Sequence, residues 1–189
     1  MKRVFFAVSV LILFSAQMIF AHDPRTVAKD FSHTLTIEGA GKLTLSYKSL
    51  HWNEPVYMNA KQNDQLRARL NAGVWKKIGK LDSEFDVVIG GVQVPKGSYS
   101  LGIAFGANDD FSLILGSGGK DITIPLQTAA DSPVVTYLSF DLRPTSDTDS
   151  FLLEGRSGKF RCSAEVKVPY LAPHEHADAG GHDHMEKKP

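Results

Sequence analysis

The 189-residue chain is 42% hydrophobic and 22% charged, a composition that predicts one globular domain with a hydrophobic core. Its 21 basic and 21 acidic residues balance, so no basic excess indicates nucleic acid or an anionic membrane surface as a partner. The single cysteine excludes an intrachain disulfide, and the fold must therefore depend on packing.

The first 21 residues are typical of a secretory signal peptide. Lys2 and Arg3 precede an apolar run over residues 4–14, and Ala21 is a small residue suited to the position before a cleavage site. An uncleaved membrane anchor is the alternative, but the run is short for a membrane span. Cleavage leaves 19 basic residues (21 − 2) against 21 acidic ones, a net charge of −2. We expect an exported chain, periplasmic or extracellular, without a membrane span.

A hairpin is predicted after a short leader over residues 22–32. The stretch HTLTIEGAGKLTLSYKSL alternates apolar and polar residues on both sides of a turn near Gly39–Gly41. The apolar positions are Leu35, Ile37, Leu43, Leu45 and Tyr47. The alternation predicts two strands with one face in solvent.

One helix is predicted over residues 60–71. Asn59 is placed to cap its first turn, with Gln62 at the reciprocal position of a capping box. Leu66 and Leu70 are four residues apart and form a narrow apolar stripe. Such a stripe predicts a helix that covers an edge or end of a sheet.

From Phe85 onward, short alternating segments separated by turn residues are typical of an antiparallel β-sandwich. Gly90-Gly91 predicts a two-residue hairpin turn, and Pro95-Lys96-Gly97 predicts another turn. Separate strands are expected in FSLILG, DITIPL, VVTYLSFDL, FLLEG and KFRCSAEVKV. We therefore predict an all-β fold, a single antiparallel β-sandwich over residues 33–170 with one short helix.

Cys162 lies on the apolar face of the last predicted strand. It alternates with charged and polar residues and shares its face with Phe160, Ala164, Val166 and Val168. The pattern predicts a small core side chain rather than a reactive thiol.

Beyond Ala172, the tail over residues 171–189 carries almost no apolar side chain. It is predicted to be disordered, because it cannot offset the entropy cost of ordering its backbone. It contains two His-x-His pairs joined by two glycines, with carboxylates interleaved, and imidazole is a good ligand for zinc, copper or nickel. The predicted metal ligands are His174, His176, His182 and His184. The alternative is a solvated tail with incidental metal affinity.

Two other metal sites have weaker support. Cleavage after Ala21 makes His22 the N-terminus, where amine and imidazole together can chelate copper if His33 or His51 adds a ligand. A calcium site in TSDTDS has only two carboxylates, which form an incomplete shell.

Other motifs also have a simpler interpretation. GSGGK lacks the spacing of a phosphate-binding loop and reads as a strand connection. Trp52 and Trp75 suit a glycan-binding face, although isolated tryptophans more often pack in a core. No G-x-S-x-G elbow or other catalytic constellation is found, so no catalytic residue is assigned.

Four short motifs lie along the central part of the chain: Val74-Trp75, Gly90–Pro95, Pro95–Leu101 and Asp109–Leu115. Through these motifs the chain resembles an exported bacterial family known as domain of unknown function 2911. The similarity covers residues 43–168 and departs from the family's pattern at Lys76–Lys80, so no role of that segment is transferred. The resemblance implies export and a β-sandwich, and it implies no established activity.

Three functions are compatible with these patterns. The leading hypothesis is a non-enzymatic exported β-sandwich whose tail binds transition metals as a buffer or delivery arm. The first alternative is a binding module for a carbohydrate or a cell-envelope partner. The second is an enzyme whose site is assembled from dispersed loop residues.

Overall fold

The computed structural model describes residues 28–147 and 149–169, which form an antiparallel β-sandwich capped by helices. The helices are α1 (Glu54–Gln62), α2 (Asp64–Ala72) and a 3₁₀ helix (Val74–Lys77). The strands in this part of the chain are β1 (Lys29–Ile37), β2 (Gly41–Ser49), β3 (Gly79–Ser83), β4 (Val87–Ile89), β5 (Val92–Val94), β6 (Gly97–Phe105), β7 (Phe111–Ser117), β8 (Lys120–Pro144) and β9 (Ser150–Lys167).

The strands are hydrogen-bonded in the order β1-β2-β3-β6-β7-β8-β9-β4-β5, and neighbours are antiparallel. The strands β1, β2, β3, β6 and β7, with the first residues of β8, form a layer whose register runs without interruption. We call it the regular layer. The all-β antiparallel fold predicted from the alternation is confirmed.

The β8–β9 hairpin contains the corner of the sandwich. Ala130 of β8 lies opposite Phe160, whereas Ser139 lies opposite Arg156, so β8 advances nine residues (139 − 130) while β9 advances four (160 − 156). Within this stretch Val135 still lies opposite Gly158 of β9. Residues 136–138 instead bond to the chain after β2, where Trp52 N–H donates to the Thr136 carbonyl at 2.8 Å. A bulged strand that changes partner in this way carries one layer over onto the other.

The core lies between the regular layer and the hairpin. Alternate residues of β2, β6 and β7 are buried, as are those of β9 after its bend. The largest fully buried side chains include Leu43, Leu45, Leu101, Leu113, Leu115, Ile124 and Val166. Burial of Cys162 with Phe160, Ala164, Val166 and Val168 confirms the predicted inward face of this strand.

Two predicted turns are confirmed. Gly90 and Gly91 join β4 to β5 with φ of 56° and 80°, the left-handed conformation required of a two-residue hairpin turn. GSGGK is a strand connection as predicted, with Gly118 and Gly119 between β7 and β8.

The predicted single helix over residues 60–71 is wrong, since the structure has two helices that meet at Asn63. Asn63 is extended (φ −126°, ψ 105°), and its side chain accepts a hydrogen bond from Leu66 N–H at 3.0 Å. It therefore caps α2 and interrupts the helix. Asn53, followed by a proline within the first turn, caps α1 by accepting from Val56 N–H at 3.0 Å. Asn59, the predicted cap, lies inside α1.

Other predicted boundaries also change. DITIPL and VVTYLSFDL are parts of the one strand β8, and FLLEG and KFRCSAEVKV are parts of β9. β1 begins at Lys29, so the last four residues of the predicted leader belong to the sheet. The missed strand β3 offers a weak signal, because Leu81 is its only buried apolar side chain.

Two predicted segments lie outside the described residues: the signal peptide over residues 1–21 and the whole tail over residues 171–189 with its four histidines. Both stay predictions. In residues 28–147 and 149–169, no helix is long and apolar enough to cross a membrane.

Candidate functional site

The four predicted metal ligands follow the point where the last strand ends. Val168 is fully buried, and its N–H donates to the Asp149 carbonyl at 3.0 Å. This contact fixes the end of β9 beside its beginning. His174 is only six residues further along the chain, although it and the other tail histidines lie outside the described residues.

The two described histidines are far from each other. His33 in β1 stacks on Tyr47, with ring centroids 6.0 Å apart, and His51 contacts the Tyr137 ring at 5.4 Å. His33 lies opposite Leu45, which precedes His51 by six residues, or roughly 20 Å of extended strand. They cannot share one ion with each other, so a site at His22 has room for only one of them.

In the described part of the chain, no group of three or more His, Cys, Asp or Glu side chains is placed to hold a metal ion. Asp147 is among these residues and is exposed. The described residues thus supply no assembled alternative to the predicted tail ligands.

A convergence of polar side chains lies on one face of α1, where Glu54, Tyr57 and Lys61 follow helical spacing. Tyr57 donates its hydroxyl to Asp109 Oδ1 at 2.5 Å, and Lys61 Nζ lies 2.8 Å from the same oxygen. Glu54 accepts a hydrogen bond from Lys159 Nζ at 3.1 Å. We call these five residues the α1 polar cluster.

The two acidic groups of the cluster come from separate parts of the fold. Asp109 lies in the turn between β6 and β7 with a left-handed φ of 60°. Glu54 begins α1, where it also accepts from Trp52 Nε1 at 2.7 Å. The helix is thereby fixed both to the regular layer and, through Lys159, to β9.

An aromatic cluster packs beneath these charges. Its closest pairs are Trp52–Tyr57, with ring centroids 4.8 Å apart, and Tyr57–Phe105 and Phe111–Phe160, each at 5.1 Å. Trp75 closes it from the 3₁₀ helix, 6.3 Å from Trp52. Trp52 is buried and Trp75 is half-buried. Their packing roles, preferred from sequence, are confirmed.

The electrostatics of the α1 polar cluster favour fixed charges over proton transfer. Burial, with the hydrogen bond to Asp109, raises the pKa of Tyr57, which keeps the phenol protonated. Hydrogen bonds from Lys61 and Tyr57 lower the pKa of Asp109, which keeps this carboxylate ionised. Neither group titrates near neutral pH, where a general acid or base is most effective. The arrangement is therefore suited to docking the helix.

Cys162 lies beside a small cavity between the two layers. The cavity has a volume of about 20 Å³, room for about one water molecule, and an almost wholly apolar lining that includes Trp75, Ile103, Phe111, Leu138, Phe140 and Phe160. Burial raises the pKa of the Cys162 thiol, so the thiolate is disfavoured. The sulfur lies 3.7 Å from Thr128 Oγ1. These features fit the predicted packing role.

Sequence reasoning missed the α1 polar cluster. Nothing in the local sequence relates Asp109 to Tyr57, 52 positions earlier. The one available signal was Asn53-Glu54-Pro55, which starts α1 and sets the phase of Tyr57 and Lys61.

Comparison with known proteins finds no family model, no curated protein and no solved structure that matches this chain.

Proposed function

We propose that this chain is a non-enzymatic exported β-sandwich protein that binds a transition metal, zinc, copper or nickel, through its C-terminal tail. The observation that carries the proposal is the pair of His-x-His motifs beyond the last strand, His174/His176 and His182/His184, with carboxylates interleaved. Gly180 and Gly181 between the pairs favour a chain reversal that lets both contact one ion.

The position of the tail supports a role separate from the fold. The buried sandwich ends at Val168, and the residues that follow Ala172 offer almost no apolar surface to bury. The metal must therefore order the tail as it binds, which weakens affinity relative to a preformed site. Reversible binding of this kind suits a buffer or a delivery arm.

Isothermal titration with Zn²⁺ tests the proposal. Replacing His174, His176, His182 and His184 together with Ala should weaken binding more than tenfold. The matched control replaces His33 and His51, the two described histidines, and should bind as the unmodified protein does. Undiminished affinity in the fourfold variant contradicts the proposal and directs attention to His22.

Two further measurements complete the test. Binding should weaken as the pH falls through ~6.5, where free imidazole takes up a proton that competes with the metal. If the chain is exported and cleaved as predicted, intact-mass analysis should show a mature protein that begins at His22. Recovery of a chain that retains Met1 in a membrane fraction would contradict this prediction.

A further inference from the structure

The two ends of the sheet differ in how they are protected from other strands. β5 is three residues long and is followed by Pro95, which cannot donate a backbone hydrogen bond. β1 is nine residues long and pairs with β2 at every position without a bulge. It contains no proline or glycine, and its only charged residues are Lys29 and Asp30, at its start.

The free edge of β1 therefore keeps the features that allow another strand to add to it. Among the described residues, β1 has β2 as its only hydrogen-bonded neighbour. Roughly half of its residues must direct their N–H and C=O groups away from β2, as in any antiparallel edge strand. Proteins usually shield such an edge with lysine, proline, a bulge or a short strand.

The side chains of β1 leave an apolar surface beside that edge. Phe31 is 42% exposed, although its ring stacks on Tyr47 with centroids 5.6 Å apart. Leu35, on the same face, is half-buried. On the other face, Ser32 and Thr34 are exposed and each pairs with a hydroxyl of β2, at 3.1 and 3.2 Å.

We propose that β1 pairs with β1 of a second copy of this chain, antiparallel and about a two-fold axis at His33, to form a homodimer. This inference concerns a different surface from the proposed tail site and does not depend on it. The axis at His33 is the one that pairs all nine residues of each strand, because Lys29 then lies opposite Ile37 of the other copy (29 + 37 = 33 + 33).

The chemistry of β1 is self-complementary in this register. Phe31 lies opposite Leu35 of the other copy, so two partly exposed apolar side chains on one face cover each other. Ser32 lies opposite Thr34 on the polar face. A two-fold axis requires one patch to match itself in this way.

Charges at the ends of the strand are also compatible with the pairing. Asp30 lies opposite Lys48 of its own β2, with 2.9 Å between Lys48 Nζ and Asp30 Oδ1. In the dimer it also lies opposite Thr36 of the other copy, which lies opposite Lys42. Asp30 is then two strands, about 10 Å, from that exposed lysine, within reach of its long side chain. Lys29 and Asp30 give the edge of β1 no net charge, so two copies of this edge do not repel each other. We therefore assign a second copy of this chain as the occupant.

Analytical ultracentrifugation tests for the dimer. The sample is the mature protein purified from its host, measured over a range of concentrations. The interface is small, so we expect a reversible dimer with a micromolar dissociation constant. Phe31→Lys should weaken dimerisation more than tenfold, because it removes the apolar contact and places a charge at the edge. Met58→Lys is the matched control, since Met58 is 38% exposed on α1, and it should dimerise normally.

Cross-linking then tests the register. In His33→Cys, the two new thiols lie directly opposite each other, within disulfide reach, and oxidation should give a covalent dimer. In Thr36→Cys, the two thiols are offset by six residues, roughly 20 Å, and no cross-link should form. The native Cys162 is buried and should not react in either variant.

The outcomes are decisive. A chain that stays monomeric at all concentrations, with no cross-link in His33→Cys, overturns the proposal and shows that residues 1–27, residues 170–189 or solvent cover this edge. A dimer that persists in Phe31→Lys, or that cross-links through Thr36→Cys, also overturns it.

Discussion

The two halves of the sandwich achieve their packing differently. In the regular layer, the register from β1 through β7 to the start of β8 has no bulge, and each side chain's face follows from its parity along the strand. In the β8–β9 hairpin, the buried positions of one strand change from odd-numbered to even-numbered residues. Leu153 and Gly155 are buried before the bend, and Gly158, Phe160 and Cys162 are buried after it.

The difference shows that curvature here comes from a local break in the strand. Gly158 has a φ of +58°, and a Cβ atom at this position would meet the indole of Trp52. The bend therefore depends on a residue that lacks a side chain, beside the aromatic cluster. Across from it, Val134 is 67% exposed in the bulged part of β8. Substitutions in the two halves should consequently differ in cost.

The largest effect is expected at Cys162, in the part of β9 after the bend, where side chains again alternate between the two faces of the strand. Cys162→Asp should lower the free energy of unfolding by at least about 3 kcal/mol, because it buries a charge among apolar side chains. Ser163→Asp is the control on the opposite face, where the native side chain is half-buried, and should cost much less. Urea unfolding measures both, and equal losses would show that the face assigned to Cys162 is wrong.

The native Cys162 offers an independent check of the same assignment. Thiol reagents should modify it slowly in the folded protein, because burial raises its pKa and excludes the reagent. Rapid labelling without denaturant would contradict the buried position.

The next largest effect compares a glycine of the bend with one of the regular layer. Gly158→Ala should cost about 3 kcal/mol, since it combines a left-handed backbone with a contact against Trp52. Gly118→Ala shares the left-handed φ, +57°, but nothing lies within 4 Å of its Cβ position, and it should cost about 1 kcal/mol. Chemical denaturation gives the two values. Similar losses would mean that close packing at the bend contributes little.

The smallest effect concerns the α1 polar cluster, which connects the two halves. The lowered pKa of Asp109 means that its ionised form stabilises the fold above the unfolded carboxyl's pKa near ~3.9. This stabilisation is lost as the pH falls through the lower folded value. Asp109→Asn, which suits the left-handed turn, should therefore be modestly less stable than the native protein at neutral pH.

Thermal unfolding from pH 7 to pH 2 measures this difference, which should shrink as the pH falls and the carboxylate takes up a proton. Asp30→Asn is the control, because the Asp30–Lys48 pair is exposed (76% and 62%) and such pairs contribute little to stability. A constant difference between the Asp109→Asn and native proteins at every pH would show that the carboxylate's charge does not stabilise the fold.

Much of the regular layer follows from sequence alone, because its information is local. Alternation identified Leu43, Leu45 and Tyr47 as side chains of the apolar face, and glycine pairs identified the turns at Gly90-Gly91 and Gly118-Gly119. Side chains two residues apart in a strand share a face whatever the rest of the chain does. The buried position of Cys162 followed from the same rule.

The tail's metal ligands are likewise a matter of residue type and spacing, and they remain a prediction because they lie outside the described residues.

Only the tertiary structure decided how the strands connect and where α1 docks. β8 changes partner because the residues after β2 offer it hydrogen bonds, and those residues are more than 80 positions away. The hydroxyl of Tyr57 donates to Asp109, and the indole of Trp52 occupies space that is free only because Gly158 has no side chain. These relations depend on which distant surfaces meet when the core closes. Local alternation and helix propensity cannot predict these contacts, because packing between remote segments determines both the bend in β9 and the position of α1.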